Sequence, residues 1–274
     1  MEKKIRLPSA SGSFYPNSPE EIISLLTNFF QKVKEDRFFQ EKIKGIRKQE
    51  IHGIISPHAG YIFSGQTAAY AFSVLKEIIN KKRNIFILGP SHYLHFDFVA
   101  LTEKELWSTP LGEINVNQSI NKNLSEKRYF SFFDKPHLPE HSLEVQLPFL
   151  QFISPKIDFQ ITPLLFGDLN KEEIFSAAKT LSEYQKNSLF IISTDLSHYL
   201  PIEEAKREDK QTIKAIELLK IEKEKINACG LIPILTCLKI CQLNNWRPKL
   251  LHYSTSGEVI GDYSSVVGYA SFLF

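Results

Sequence analysis

Short apolar runs recur along this chain, and three of them stop in the same kind of turn. "ISPHAGY" (55–61), "ILGPSHY" (87–93) and "IISTDLSHY" (191–199) each lead an apolar run into a brief polar segment that holds a histidine. Runs this short, bounded by proline, glycine or serine, read as buried strands. Between the first two lies "SGQTAAYAFSVLKEIIN", where Ser64 is placed to cap a helix and Ala68, Phe72, Leu75 and Ile79 fall at helical spacing. Strand, helix and strand make a βαβ unit, whose crossover is right-handed and whose strands run parallel. Both strands then end at one sheet edge, where open α/β sheets bind ligands. His58 and His92 are therefore expected to leave from the same edge, about 5 Å apart if their strands are neighbours.

The alternation continues. "NSPEEIISLLTNFFQKV" opens with Ser18 as a cap, Pro19 at the first helical position and Glu20 and Glu21 at the positive helix end. Further strands are expected near 97–102, 157–165, 188–193, 248–253 and 263–273, and helices near 141–151, 171–184, 202–220 and 231–243. The two closing strands are expected to pair antiparallel through "TSGEVIGD", which makes the sheet mixed. The prediction is one layered α/β domain over residues 1–274, with a central mixed, partly parallel sheet flanked by helices.

Composition removes several function classes. The net charge of +2 is close to balance, which argues against a polyanionic partner, and the basic cluster Lys81, Lys82, Arg83 reads as a solvated loop. No nucleic acid is expected. No stretch approaches the roughly 20 apolar residues of a membrane span. The opening segment is charged and lacks the apolar core of a secretory signal. Three cysteines, Cys229, Cys237 and Cys241, are odd in number and crowded together, a poor disulfide framework, so the expected location is cytoplasmic, with reduced thiols.

Chemistry concentrates in a few places. "STDLSH" would put Asp195 and His198 on the same edge, facing one way if a helical turn begins there; Asp195 also suits a helix cap. "PEHSLEVQLPFL" reads as a helix start with His141 and Glu144 on one face, aimed into a cleft or with Glu144 orienting His141. In "NACGLIP", Cys229 precedes a glycine and a helix start, where the helix dipole favours a thiolate suited to metal binding or nucleophilic attack. His52, His95, His137 and His252 lack this framing and read as structural or surface residues, and Cys237 and Cys241 as core. The dinucleotide and P-loop glycine signatures and H-E-x-x-H are absent, and "GPSHY" lacks the second glycine of a nucleophile elbow. Histidines from separate strands joined by one acidic or thiol ligand remain.

"RLPSASGSFYP", "ISPHAGYIFSG", "ILGPSHY", "EHSLEVQLPFLQ", "STDLSHY", "ACGLIP" and "TSGEVIGDYSSVVGYASFLF", in that order, resemble the Memo family over nearly the whole chain. Bacterial and archaeal members are often called AmmeMemoRadiSam system protein B, after a radical SAM protein and an AMMECR1-like domain that recur with them. The resemblance implies a fold like that of class III extradiol dioxygenases and a pocket similar to their iron site, with a cysteine among the metal-binding residues. By motif it implicates His58, His92 and Cys229 as metal ligands and His141, Asp195 and His198 as pocket residues with catalytic roles. It further implies iron or copper, with zinc as an alternative cofactor, because a thiolate is softer than the carboxylate of the dioxygenase triad.

Three functions follow as expectations. The first is a metal-dependent oxidoreductase in which His141 or His198 handles protons and Asp195 orients an imidazole. The second is a non-enzymatic module that holds a small molecule, a peptide or a partner's terminus in the same cleft. The third is a component of a modification system working with radical SAM and AMMECR1-like companions.

Overall fold

Gly53–Ser56 and Ser188–Ser193 are buried at every position, the pattern of strands covered on both faces of a parallel sheet. They lie at the centre of the computed structural model, which describes residues 4–47, 50–76, 78–79, 83–156 and 159–274. The first elements are β1 (Ile5–Arg6), α1 (Pro19–Glu35), α2 (Arg37–Ile43), β2 (Gly53–Ser56), α3 (Tyr61–Lys76) and β3 (Arg83–Pro90). Then come β4 (Val99–Leu101), β5 (Leu106–Thr109), β6 (Gly112–Asn115), α4 (Gln118–Ser125), β7 (Phe130–Phe132), α5 (Asp134–His137) and α6 (Leu147–Ile153). The chain closes with β8 (Phe159–Phe166), α7 (Lys171–Ser182), β9 (Ser188–Ser193), β10 (His198–Leu200), α8 (Ile202–Glu217), α9 (Leu231–Asn244), β11 (Lys249–Thr255), α10 (Gly257–Ile260) and β12 (Val266–Leu273).

The main sheet has the order β10-β12-β2-β9-β3-β8-β4-β7, and β11 also pairs with β12. Strands β2, β9, β3 and β8 run parallel, whereas β12 is antiparallel to β2 and β4 to β8. The sheet is thus mixed, and β11 and β12 pair antiparallel as expected. Alternate side chains point to opposite faces. Ile54, Ile85, Ile87 and Ile191 join one core with α1, α3 and α6, while Ile55, Phe86, Leu88 and Ile192 join a second with α7, α8 and α9. A small sheet, β1-β5-β6, is separate in its pairing but packs Trp107 and Ile114 into the first core. Among the described residues no helix is long and apolar enough to cross a membrane.

The structure corrects several expectations. β2 and β3 are not neighbours, because β9 inserts between them and pairs with both. Helix α3 starts at Tyr61, since the Gly60 carbonyl accepts the Ser64 N–H, and the Ser64 hydroxyl donates to the Ala59 carbonyl at 2.8 Å instead of capping. The helix expected near 141–151 is a 3-10 turn, Glu144–Gln146, followed by α6, whose start is set by Pro148 in the first turn. Lys81, Lys82 and residues 157–158 of an expected strand lie outside the described residues.

Candidate metal centre

The chain emerges from β2, β3 and β9 at one sheet edge, and His58, His92 and Asp195 each follow within two residues of a strand end. Cys229 arrives there from the start of α9. His58, only 2% exposed, places Nδ1 3.0 Å from the Ser193 hydroxyl. That hydroxyl spends its own proton on the Ser142 carbonyl, 2.5 Å away, so it accepts from His58 Nδ1–H. The network thereby assigns the tautomer: Nε2 of His58 carries the lone pair, 3.1 Å from Cys229 Sγ. His92 follows the same logic. Its Nδ1 lies 2.8 Å from Glu140 Oε1, an acceptor only, which leaves Nε2 free.

One donor atom each from His58, His92 and Cys229 lie within 4.8 Å of one another, close enough to hold a single ion. The imidazoles cross edge to face, with centroids 5.1 Å apart. Cys229 Sγ also accepts the Asp195 N–H at 3.2 Å. Burial and then the nearby Asp195 carboxylate push the Cys229 thiol up to about 12, while burial and then His92 push His58 down to about 3. Burial opposes charge on Glu140 too, but hydrogen bonds from the His92 ring and the His92 and Ser142 N–H groups hold it down at about 2. Without a cation the centre holds a neutral thiol and a neutral His58 beside a buried carboxylate. This donor set fits a borderline or soft metal ion, whose charge would favour the thiolate.

The remaining expected residues surround this centre. His141 stacks on His92 at 4.7 Å and on Phe14 at 4.2 Å, and burial, then His58, lowers its pKa to about 4. Asp195 Oδ1 accepts the N–H groups of His58 (2.7 Å) and Ala59 (3.3 Å), so it fixes the turn that carries His58 rather than capping a helix. Burial raises its pKa. His198 does not begin a helical turn. The 196–198 segment is drawn to β12, with Leu196 N–H donating to the Gly268 carbonyl and Gly268 N–H to the Ser197 carbonyl, and His198 Nδ1 donates to the Leu196 carbonyl at 2.8 Å.

A family model described as Memo-like protein matches residues 6–273. The chain belongs to the Memo family. It is 32% identical to a MEMO1 family protein of Thermoplasma acidophilum, covering 97% of each chain, and 33% identical to one of Aquifex aeolicus, covering 99% of each. With a MEMO1 family protein of Methanosarcina acetivorans it shares 35% identity over 98% of this chain and 99% of that one. Among solved structures it is similar to an uncharacterized protein of Escherichia coli K12, at a TM-score of 0.48 and 12% identity, covering 76% of this chain and 92% of that one.

In this Memo-family chain Glu144 does not enter the cleft. It is fully buried in an ion pair with Arg6 at 2.6 Å and accepts from Ser9 N, Ala10 N and the Tyr15 hydroxyl. Glu140, missed by sequence reasoning, is the acidic partner of the centre. Its proximity to His92 crosses 48 positions of sequence, and only its place beside His141 in "PEHS" hinted at it. His92, Glu140 and His141 also form a group able to surround an ion. The Glu140 oxygens, however, already accept the N–H of His92, its ring N–H and the N–H of Ser142, so Glu140 supports His92 from behind. Away from the centre His52 stacks on Trp246, His252 on Tyr70, His137 is buried against the Ala100 carbonyl, and exposed His95 faces Asp168. Cys237 and Cys241 are buried in α9.

Proposed function

We propose that this Memo-family protein is a metal-dependent oxidoreductase that holds one iron or copper ion through His58 Nε2, His92 Nε2 and Cys229 Sγ. The observation that carries this reading is the fixing of both tautomers: Ser193 and Glu140 each occupy an Nδ1, so both Nε2 lone pairs are left for the ion. When bound, such an ion supplies electron transfer and open coordination positions for substrate, and zinc suits the same donors. The protein's own part is to bind, orient and manage protons. His141, neutral at physiological pH, is placed to accept a proton near His58 and His92. His198 keeps Nε2 free because Nδ1 is bound to the Leu196 carbonyl, and Asp195 holds the His58 turn in place. Metal analysis of anaerobically purified protein tests the reading: His58→Ala and Cys229→Ala are expected to lose the metal that the wild type retains. Equal metal in all three proteins would sink it.

A second reading is a non-enzymatic module for a peptide. Tyr93 and Tyr199 stand 52% and 77% exposed beside His92 and His198, an aromatic rim suited to a bound chain. Peptide affinity that persists without metal and in His92→Ala supports this reading over the first.

A further inference from the structure

We infer that Arg6 is a positioning residue of the metal centre, acting through Glu140 on His92. The inference rests on the reading of His92 as a ligand. Arg6 lies on β1, is 1% exposed, and packs its guanidinium 4.3 Å over the Trp107 ring. Its Nε donates to the His137 carbonyl at 2.7 Å, and Nη2 donates to the Glu140 carbonyl at 2.7 Å and more weakly to the Leu138 carbonyl at 3.5 Å. These carbonyls line the turn that leaves α5, where helix geometry offers no partner. A planar fork of fixed donors meets several of them at once, which an ammonium cannot.

Glu140 is therefore held at both ends. Its backbone carbonyl is pinned by Arg6, and its carboxylate receives the N–H and Nδ1–H of His92, each at 2.8 Å. The path from Arg6 to the candidate ligand is two hydrogen bonds through one residue. Nη1 of Arg6 is 2.6 Å from Glu144, and Glu144 in turn binds Ser9 N, Ala10 N and the Tyr15 hydroxyl. The same ion pair thus anchors the segment carrying Phe14, which stacks on His141. The N-terminal segment is a wall of the centre, and Arg6 ties it to the histidine support.

Cobalt(II) is a probe with a readout independent of activity, because a sulfur-to-cobalt charge-transfer band reports Cys229 and its titration gives an affinity. The comparison is wild type, Arg6→Lys, Glu140→Gln and the double variant. Arg6→Lys keeps the charge opposite Glu144 but loses the fork, and cobalt affinity is expected to fall about tenfold. Glu140→Gln weakens binding at least as much, and adding Arg6→Lys to it causes a smaller loss than in the wild-type background, because the path through residue 140 is shared. Unchanged affinity in Arg6→Lys overturns the inference, as does a loss that recurs in full in the Glu140→Gln background. A wild type without the sulfur-to-cobalt band overturns the metal centre itself and this inference with it. Should Arg6→Lys not fold, Arg6→Met combined with Glu144→Gln leaves no unpaired buried charge and takes its place in the same comparison.

Discussion

Cys229 carries the sharpest chemical demand in the molecule, because burial and Asp195 keep its thiol protonated up to about 12 while metal binding requires the thiolate. Each metal bound must then displace one proton from sulfur. Because His58 is neutral down to about 3, it adds no proton competition near neutrality. Metal affinity is expected to rise about tenfold per pH unit between about pH 7 and pH 9. Competition titrations with a chelator of known affinity would reveal it, and a flat profile excludes sulfur as a ligand; Cys229→Ser should lose the slope. Asp195 makes a different prediction. Asp195→Ala leaves the His58 and Ala59 N–H groups without their acceptor and should cost roughly 1–3 kcal/mol in urea denaturation, whereas Asp195→Asn retains an acceptor oxygen and costs less. The histidines were legible at this scale because proline and glycine mark strand ends. Glu140 was not, since the ring and N–H of His92 that it holds lie 48 positions away in the sequence.

At the scale of elements, α9 positions the sulfur through a close approach. A Cβ on Gly230 would lie 2.7 Å from Thr194 Cβ and Oγ1 and 2.9 Å from the Ser193 carbonyl. The φ of −89° at Gly230 suits any residue, so space alone demands glycine there. Gly230→Ala should therefore push the start of α9 away from the end of β9, destabilise the fold by roughly 1–3 kcal/mol and weaken metal binding at Cys229. Denaturation and metal titration together check this, and a variant with wild-type stability and affinity would refute the packing argument. Elements with strong local signals were readable: Ser18 accepts the Glu21 N–H at the cap of α1, and β9 spans the expected Ser188–Ser193. The short strands β5 and β6 and the β10 pairing were missed. β5 and β6 are four residues each and pair with each other as a hairpin, with β5 also on β1, while β10 owes its shape to β12, and none is long enough to show a periodicity of its own. The place of β9 between β2 and β3 is a tertiary choice that a βαβ pattern leaves open.

Across the whole molecule, one sheet between two apolar cores explains why the layered fold was legible, since alternate residues of the same strands feed both cores. The same burial has a consequence for acid stability. Burial is the largest cause holding His58 and His137 at about 3 and His141 and His252 at about 4, each below the usual 6.5. The unfolded chain therefore takes up protons first as pH falls. The stability from keeping these four rings neutral is present above about pH 6.5 and lost as pH falls toward their folded values. Burial raises Asp195 and Asp209, whose contribution has the opposite sign, being present below their usual 3.8 and lost as pH rises through their raised values, but they are two groups against four. Metal-free protein is expected to lose stability between pH 7 and pH 5, each neutral imidazole contributing up to about 1.4 kcal/mol per pH unit. Unfolding free energies from urea titrations at a series of pH values test this. His137→Gln keeps a donor for the Ala100 carbonyl while removing one titrating ring, so its curve should be shallower than that of the wild type by about one proton. A wild-type curve that is flat from pH 7 to pH 5 would show that the rings are not held neutral.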